Sequence, residues 1–318
     1  MVRIAAILCC LALAAAYAAD KKKNDPSQIG NRDVGKGVNF YSMEKEVALG
    51  RQLAQEVVRQ AKGVDDPLVS EYINRFGQNL ARNSDARFSF TFKVLDDESL
   101  NAFALPGGYV FVNSGLIKIA DEEDELAGAV AHEIAHVAAR HMTRQATKSQ
   151  LATIFTVPLS VLLGGAGGYA ARQAAGVAIP MTFLSFDRKD ESEADFLGVQ
   201  YMYAAGYDPM GAITIFEKME WLERKKPGAI SSLFSTHPPD DERIRRTQRE
   251  IETILPAKPE YVVSTSEYRD IRERLIDLLS APKGNGKEGR PRLRVGPGTA
   301  APPDAGERPT IQRRDIRE

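Results

Sequence analysis

Apolar residues recur at helical intervals over several stretches of the chain. Between residues 41 and 63 they recur at roughly helical intervals (Val47, Leu49, Leu53, Val57 and Val58), which predicts an amphipathic helix with Ser42 as its N-cap. A second helix is predicted from Pro67 to Arg82, because an aspartate (Asp65 or Asp66) directly before a proline is a typical helix start.

Two stretches that follow show the patterns of β-strands. Residues 87–95, RFSFTFKVL, alternate between apolar and polar side chains, which predicts a half-buried strand. In NAFALPGGYVFVNSGLI (101–117), Pro106–Gly108 predicts a turn and YVFV a second strand. The small sheet is expected to be antiparallel, within a mainly α-helical α+β fold.

The second half of the chain is predicted to be helical. Residues 121–149 are expected to form one long helix, since an acidic first turn precedes an apolar run and the basic residues come late. Two more helices are predicted on either side of a turn at Gly206–Pro209, and another after the STHPPDD loop. A last helix is predicted over residues 266–280.

The N-terminus is typical of a cleavable secretory signal peptide. Arg3 precedes a short apolar run, and the small residues before Asp20 predict cleavage near Ala18–Ala19. A membrane anchor is the alternative, but the run is short for a span. Cys9 and Cys10 lie early in the run for a lipoprotein cleavage site, so lipidation is the less favoured alternative. Both cysteines belong to the signal peptide, and the mature chain would contain none. We therefore expect a protein exported to a periplasm or cell envelope.

Composition narrows the possible partners. The chain has 43% hydrophobic and 27% charged residues and a formal net charge of -1, which argues against a dedicated nucleic-acid-binding protein. Residues 149–171 carry no charge and are long enough to span a bilayer, but Pro158 and a glycine cluster interrupt them, which favours a buried or lid-like segment. The arginines of residues 281–318 could make peripheral contact with a membrane or with an acidic partner, but a solvated tail is the preferred interpretation.

The most informative motif lies in the long predicted helix. His132 and His136 are four residues apart, so their imidazoles stack on one face, where both can bind a single Zn²⁺. Glu133 lies beside the first histidine and can reach a water on that metal, as in other HExxH sites. Core histidines with backbone partners are the alternative, but the apolar neighbours would bury Glu133 without compensation for its charge.

A third ligand has to come from elsewhere in the chain. Glu191 and Asp195 are also four apart, so one can bind the metal while the other accepts a hydrogen bond from a ligand histidine. A solvated acidic helix start is the alternative. Glu193 is expected to point away from that face. His141 comes nine residues after His132, on the opposite face of a continuous helix, so we expect a structural or supporting role.

AHEIAH followed by ESEAD resembles the M48 family of zinc metallopeptidases, which includes the CAAX-processing prenyl-protein protease, HtpX and the BepA-type proteases. The resemblance implies a zincin-like (gluzincin) fold with HExxH on an active-site helix. It also implies one Zn²⁺ per chain bound by His132, His136 and Glu191, with Asp195 supporting a ligand histidine. BepA-type members carry C-terminal TPR repeats, and the pattern of this sequence predicts none, which is a departure from that type.

Two further stretches carry the resemblance. STHPPDDERI is similar to the family's late His-Pro loop, which makes His237 and Arg243 candidate donors to the oxyanion. His237 could instead bind zinc in a resting state, or cap the following helix, and Arg243 could instead pair with a nearby acid. NAFALPGGYVFVNSGLI resembles the edge strand that holds extended substrate beside the cleft. The substrate-binding residues are therefore expected to be Asn101, Ala102, Gly108, Tyr109, Val110 and Phe111.

The resulting expectation is an exported zinc endopeptidase that acts on unfolded or misassembled envelope proteins. It divides the chain into a signal peptide (1–19), an extended lead-in (20–40), a peptidase domain (41–280) and a disordered tail (281–318). One alternative is a membrane-embedded protease that uses residues 149–171 as a span. The others are a chaperone-like assembly factor with a mainly structural zinc site and a zinc-binding scaffold. The sequence does not indicate an oligomeric state.

Overall fold

The computed structural model describes residues 25–156, 186–225, 237 and 241–280. Within these ranges the chain forms nine α-helices and three β-strands. In chain order they are α1 (Met43–Gln60), α2 (Pro67–Arg82), β1 (Thr91–Leu95), β2 (Ala102–Leu105), β3 (Tyr109–Asn113), α3 (Ser114–Ile119), α4 (Glu123–Ala138), α5 (His141–Thr156), α6 (Arg188–Ala205), α7 (Met210–Lys225), α8 (Asp241–Ile254) and α9 (Ser266–Ser280).

Several predictions fall outside the described residues. These are the signal peptide, the greater part of the charge-free segment 149–171, and the tail from residue 281 onward. Among the helices that the structure describes, none combines the length and apolar character that crossing a membrane requires.

The first two helices start as their sequences predict. Ser42 caps α1, where its hydroxyl accepts a hydrogen bond from the Lys45 amide (3.3 Å). Asp66 caps α2, and its Oδ1 accepts from the amides of Leu68 and Val69 at 3.1 Å each. The observed bounds of α2 are the predicted ones.

The sheet differs from its prediction. Its order is β1-β3-β2, with β2 antiparallel to β3 but β1 parallel to it, so the sheet is mixed and the expected antiparallel sheet is wrong. Strand β2 was not predicted, because AFAL is a continuous apolar run without period-2 alternation. This extra strand reverses the chain once more, and β3 therefore runs in the direction of β1.

The hairpin between β2 and β3 turns through two glycines. Gly107 and Gly108 have φ of 75° and 98°, which side chains rarely adopt. The turn also lies against α1, since a Cβ on Gly107 would come within 2.6 Å of the Val47 Cα. Helix α1 therefore contacts the hairpin directly.

Helix α4 runs through the centre of the fold and is buried over all its 16 residues. It packs between α6 and α7, with α2 and β2 also in contact. Small residues bring the neighbouring backbones close. A Cβ on Gly128 would lie 2.5 Å from the Ala212 Cα of α7, and one on Gly198 of α6 would lie 3.2 Å from the His132 backbone nitrogen.

The predicted long helix is interrupted. Helix α4 ends at Ala138 and α5 begins at His141, while Arg140 takes the left-handed conformation with φ 57°. The guanidinium of Arg140 holds this break, because it donates to Glu46 Oε2 (2.7 Å) and to the Tyr41 carbonyl (2.6 Å). The prediction of one continuous helix is therefore wrong.

The first turn of α4 carries three buried carboxylates, at Glu123, Asp124 and Glu125. Glu125 pairs with Lys218 (Nζ to Oε2, 2.7 Å). Burial raises the pKa of the Asp124 carboxyl to about 7, and the negative charge of Asp208 adds to the effect. Asp124 in the folded protein therefore keeps its proton to a higher pH than an exposed aspartate does.

This pKa predicts a pH dependence of stability. An aspartate in the unfolded chain titrates near about 4, so between pH 4 and 7 the folded protein binds more protons at Asp124 than the unfolded chain does. The stabilising contribution of the Asp124 carboxyl to the free energy of unfolding is therefore present at pH 4 and is lost as the pH rises to 7. Asp124→Asn stays neutral, so the unfolding free energy of the wild type minus that of the variant should fall by about 1–3 kcal/mol over this range. Urea denaturation of the metal-free proteins measures it, and a difference that is constant with pH contradicts it.

Candidate active site

The predicted catalytic and metal-binding residues meet in one place. They come from α4 (His132, Glu133, His136), from α6 (Glu191, Asp195), and from the loop before α8 and α8 itself (His237, Arg243). One ligand atom each from His132, His136, Glu191 and His237 lies within 4.8 Å of the others, and all four residues are buried.

The central distances are short. The two Nε2 atoms of His132 and His136 are 3.0 Å apart. Glu191 Oε2 lies 3.5 Å from His132 Nε2, and its Oε1 lies 3.5 Å from His136 Nε2. His237 Nδ1 lies 2.8 Å from Glu191 Oε1.

This donor set fits a divalent metal such as Zn²⁺. The Asp195 carboxylate lies 3.0 Å from His132 Nδ1, which places the proton of a neutral imidazole on Nδ1 and leaves the lone pair of Nε2 facing the centre. Two imidazoles and one carboxylate with room for a fourth ligand form a common catalytic zinc set. The geometry therefore supports the predicted ligands.

The charges at the site favour a cation. Burial alone would lower the pKa of His132, but Asp195 and Glu191 raise it to about 10. Burial and the charge of His132 hold the pKa of His136 well below its usual range. Burial disfavours ionised Glu191, yet the neighbouring His237 and His132 hold its pKa well below the usual range. A bound divalent cation meets the same demand for positive charge.

Arg243 binds the carboxylates of α6. Its Nε and Nη2 each donate to Asp195 at 2.8 Å, and Nη2 lies 2.9 Å from Glu191 Oε2. Burial opposes ionisation of Asp195, but this guanidinium keeps the pKa of the carboxyl below its usual value. The structure thus places Arg243 on the acidic side of the site, and its role as an oxyanion donor stays a prediction.

Glu133 is held by the edge of the sheet. Its Oε2 accepts a hydrogen bond from the Ala104 amide of β2 at 2.9 Å, and its Oε1 lies 3.4 Å from His237 Nε2. Burial raises the pKa of the Glu133 carboxyl, which suits a group that has to take up a proton. Sequence patterns carry no sign of the backbone donor at Ala104.

The predicted substrate strand has to be corrected. YVFV belongs to β3, the central strand, whose two edges are already paired, so Gly108–Phe111 cannot receive an added strand. The edge beside the site is β2. The Asn113 amide donates to the Asn101 carbonyl (2.9 Å), so this pair of residues is a hydrogen-bonded pair of the hairpin. The next pairs alternate, and the backbone amides and carbonyls of Ala102 and Ala104 therefore point away from β3.

His141 does not face away from the site. The break in the helix at Arg140 places the His141 side chain next to His136, and the Nδ1 atoms of the two histidines are 3.0 Å apart. Two aromatic contacts at the site have no signal in the sequence. Phe186 stacks on His136 with ring centroids 4.0 Å apart, and Phe216 meets His132 edge-on at 5.9 Å. A lone phenylalanine distant in sequence gives no signal of such contacts.

Comparison with known proteins agrees with this geometry. The model of peptidase family M48 matches residues 67–251, a range that includes every residue placed in the metal cluster. The chain belongs to this family. The M48 resemblance carried by AHEIAH and ESEAD is thereby confirmed.

Relatives of this M48 chain include named proteases. The beta-barrel assembly-enhancing protease of Yersinia pestis is 30% identical over 270 residues, which are 82% of this chain and 54% of that protein. The protein of the same name from Escherichia coli K12 is 30% identical over 234 residues, 71% of this chain and 47% of its own length. The mitochondrial metalloendopeptidase OMA1 of Schizosaccharomyces pombe is 36% identical over 157 residues, 49% and 44% of the two chains. This chain spans about half the length of these relatives.

The ion pairs of Arg243 predict a stability effect. Arg243→Gln leaves the buried Glu191 and Asp195 carboxylates without their guanidinium, so the metal-free protein should lose about 2–4 kcal/mol of unfolding free energy. Arg245, exposed on the same helix, provides the matched control, and Arg245→Gln should change it by less than about 0.5 kcal/mol. Equal losses in urea denaturation of the two variants would contradict this role for Arg243.

Proposed function

We propose that the chain is a zinc-dependent endopeptidase that hydrolyses peptide bonds in unfolded or misassembled exported proteins. The observation that carries the proposal is the convergence of His132, His136, Glu191 and His237, with the Glu133 carboxylate buried beside them. Membership of a peptidase family and the metalloendopeptidase relative support the same reaction.

His132, His136 and Glu191 would hold one Zn²⁺. When bound, the metal polarises the substrate carbonyl and lowers the pKa of water to about 7. Asp195 fixes the orientation of His132 through the contact at Nδ1, and Arg243 in turn fixes Asp195. The protein thus contributes ligands that are already positioned before the substrate arrives.

Glu133 is proposed as the general base. Its buried carboxylate takes a proton from the attacking water and later delivers it to the leaving amine. The hydrogen bond from the Ala104 amide holds Oε2, so Oε1 is the oxygen turned towards the ligand cluster. Burial raises its pKa, which strengthens it as a base relative to an exposed glutamate.

His237 is proposed as a fourth ligand of the resting enzyme. Its ring lies between two carboxylates, with Nδ1 2.8 Å from Glu191 and Nε2 3.4 Å from Glu133. A side chain in this position occupies the space that water and the substrate carbonyl need. Displacement of His237 would therefore accompany substrate binding, and donation to the oxyanion remains the alternative role.

Strand β2 is proposed to align the peptide. The outward polar groups of Ala102 and the Ala104 carbonyl offer main-chain pairing to an extended substrate, which binds by strand addition with modest side-chain preference. Asn101 stands at the start of this edge. An unfolded or misassembled protein supplies such extended segments, whereas a compact one does not.

The cellular setting is proposed from the N-terminus and the relatives. A predicted signal peptide points to export into a periplasm or cell envelope. The relatives from Yersinia pestis and Escherichia coli are named for enhancing β-barrel assembly, which supports quality control of envelope proteins as the setting. An assembly factor with a structural zinc site is the second candidate, favoured by the same relatives' names.

Glu133→Gln tests the proposed reaction. The variant keeps the steric fit and the metal ligands but cannot take up a proton, so cleavage of unfolded casein should fall by about 10²–10⁴-fold. Zinc content, measured by mass spectrometry, should stay at one per chain. Glu217→Gln, an exposed carboxylate on α7, is the control and should cleave like the wild type. Unchanged cleavage by Glu133→Gln would overturn the mechanism, and the absence of chelator-sensitive cleavage in the wild type would favour the assembly factor.

His237→Ala separates the two roles of this histidine. If His237 blocks the resting site, its removal should raise the cleavage of casein at low concentration several-fold, because substrate no longer has to displace it. Zinc should remain bound by the other three ligands. A fall in kcat of about 10²-fold or more would instead identify His237 as an oxyanion donor.

A further inference from the structure

Behind His136, on the side away from the ligand cluster, lies another buried histidine, His141. His141 is 0% exposed, and its Nδ1 lies 3.0 Å from His136 Nδ1. Its other nitrogen, Nε2, lies 3.3 Å from Glu193 Oε2 and 3.7 Å from Asp190 Oδ1. The imidazole therefore spans the space between the proposed ligand and two carboxylates of α6.

The partners of His141 determine its proton positions. An ionised carboxylate only accepts hydrogen bonds, so the nitrogen that faces Glu193 and Asp190 carries the proton. Nδ1 of a neutral His141 is then an acceptor, and the proton between the two histidines belongs to His136 Nδ1. His136 Nε2 is left with its lone pair, which faces His132 and Glu191.

The same three residues could be taken for a second cation site, because their ligand atoms also lie within 4.8 Å of one another. The neighbouring charges argue against it. Lys148 Nζ lies 3.5 Å from Asp190 Oδ2, and Arg144 Nη1 lies 3.6 Å from Glu193 Oε2, so two side-chain cations already balance these carboxylates. A divalent ion would have to compete with both.

The backbone is shaped so that this contact can form. On a continuous helix His141 would point to the opposite side from His132. The left-handed Arg140, tied to Glu46 and to the Tyr41 carbonyl, ends α4 and turns the first residue of α5 towards His136. The buried Phe186 stacks on the His136 ring and touches the His141 ring, which fixes both planes.

We propose that His141 is a positioning residue, which links His136 to the carboxylates of Glu193 and Asp190 and so sets the tautomer and orientation of that ligand. This inference rests on the proposed zinc site. It predicts that His141 acts through metal affinity, since removal of such an outer partner typically weakens metal binding by about 10–100-fold.

Zinc affinity in the Glu133→Gln background tests the proposal apart from turnover, by competition with a chelator. His141→Leu keeps apolar bulk but removes the acceptor, and should weaken zinc binding by about 10–100-fold. His141→Asn places an amide oxygen near the position of Nδ1 and should restore most of the affinity. Circular dichroism and the melting temperature of the metal-free proteins show whether each variant is folded.

Glu193→Gln gives a second variant that does not disturb the buried ring. It removes the charge that holds the His141 proton and should weaken zinc binding several-fold. Glu252→Gln, an exposed carboxylate on α8, is its matched control and should leave the affinity unchanged. Weaker binding in His141→Leu and Glu193→Gln, with recovery in His141→Asn, supports the proposal.

The contrary outcomes are distinct. One zinc per chain in the parent protein with equal affinity in His141→Leu and Glu193→Gln overturns the positioning role and leaves the proposed function standing. Two zinc ions per chain in the parent, with one lost in Glu193→Gln, would overturn it in favour of a second metal site. A parent protein that binds no zinc would overturn the proposed function and this inference together.

Discussion

The close contact between α4 and α6 is the constraint on which the rest of the site depends. Gly198 of α6 lies directly against the α4 backbone at His132. With larger side chains at this contact, the helices could not approach closely enough for Glu191 to lie 3.5 Å from both histidine Nε2 atoms. The small side chains at this contact allow the two helix backbones to lie close together, and this short distance brings the ligands of the two helices into one site.

This contact buries several ionisable groups where isolated charges are costly. Glu191 and Asp195 share the guanidinium of Arg243, and Glu133 is stabilised by a main-chain amide. The carboxylates still favour a positive charge at the centre of the site, as the raised pKa of His132 shows. A cation bound at this centre would offset the buried negative charge, and metal binding would then be coupled to stability.

The sequence patterns predict the candidate site residues better than they predict the strand order and the helix boundaries. HExxH and ExxxD were predictable because a spacing of four residues puts two side chains on one face of any helix, whatever surrounds it. Strand β2 was missed because its apolar run has no alternation, and the sheet direction followed from that omission. The break after α4 has no glycine, proline or asparagine to announce it, and depends on Arg140 meeting Glu46 from a distant helix. The position of His141 behind His136 depends on this break, so the sequence alone does not predict it.

The hydrogen bond from Ala104 to Glu133 has a consequence for how the site tolerates sequence change. The donor is a main-chain amide, so substitutions of the side chain at position 104 leave it in place, and proline alone removes it. Side-chain substitutions in the strand therefore leave the orientation of the proposed base unchanged. A shift of the strand itself would change that orientation. The strand edge proposed to align a substrate and the carboxylate proposed to activate water are therefore joined directly, by one hydrogen bond between β2 and α4.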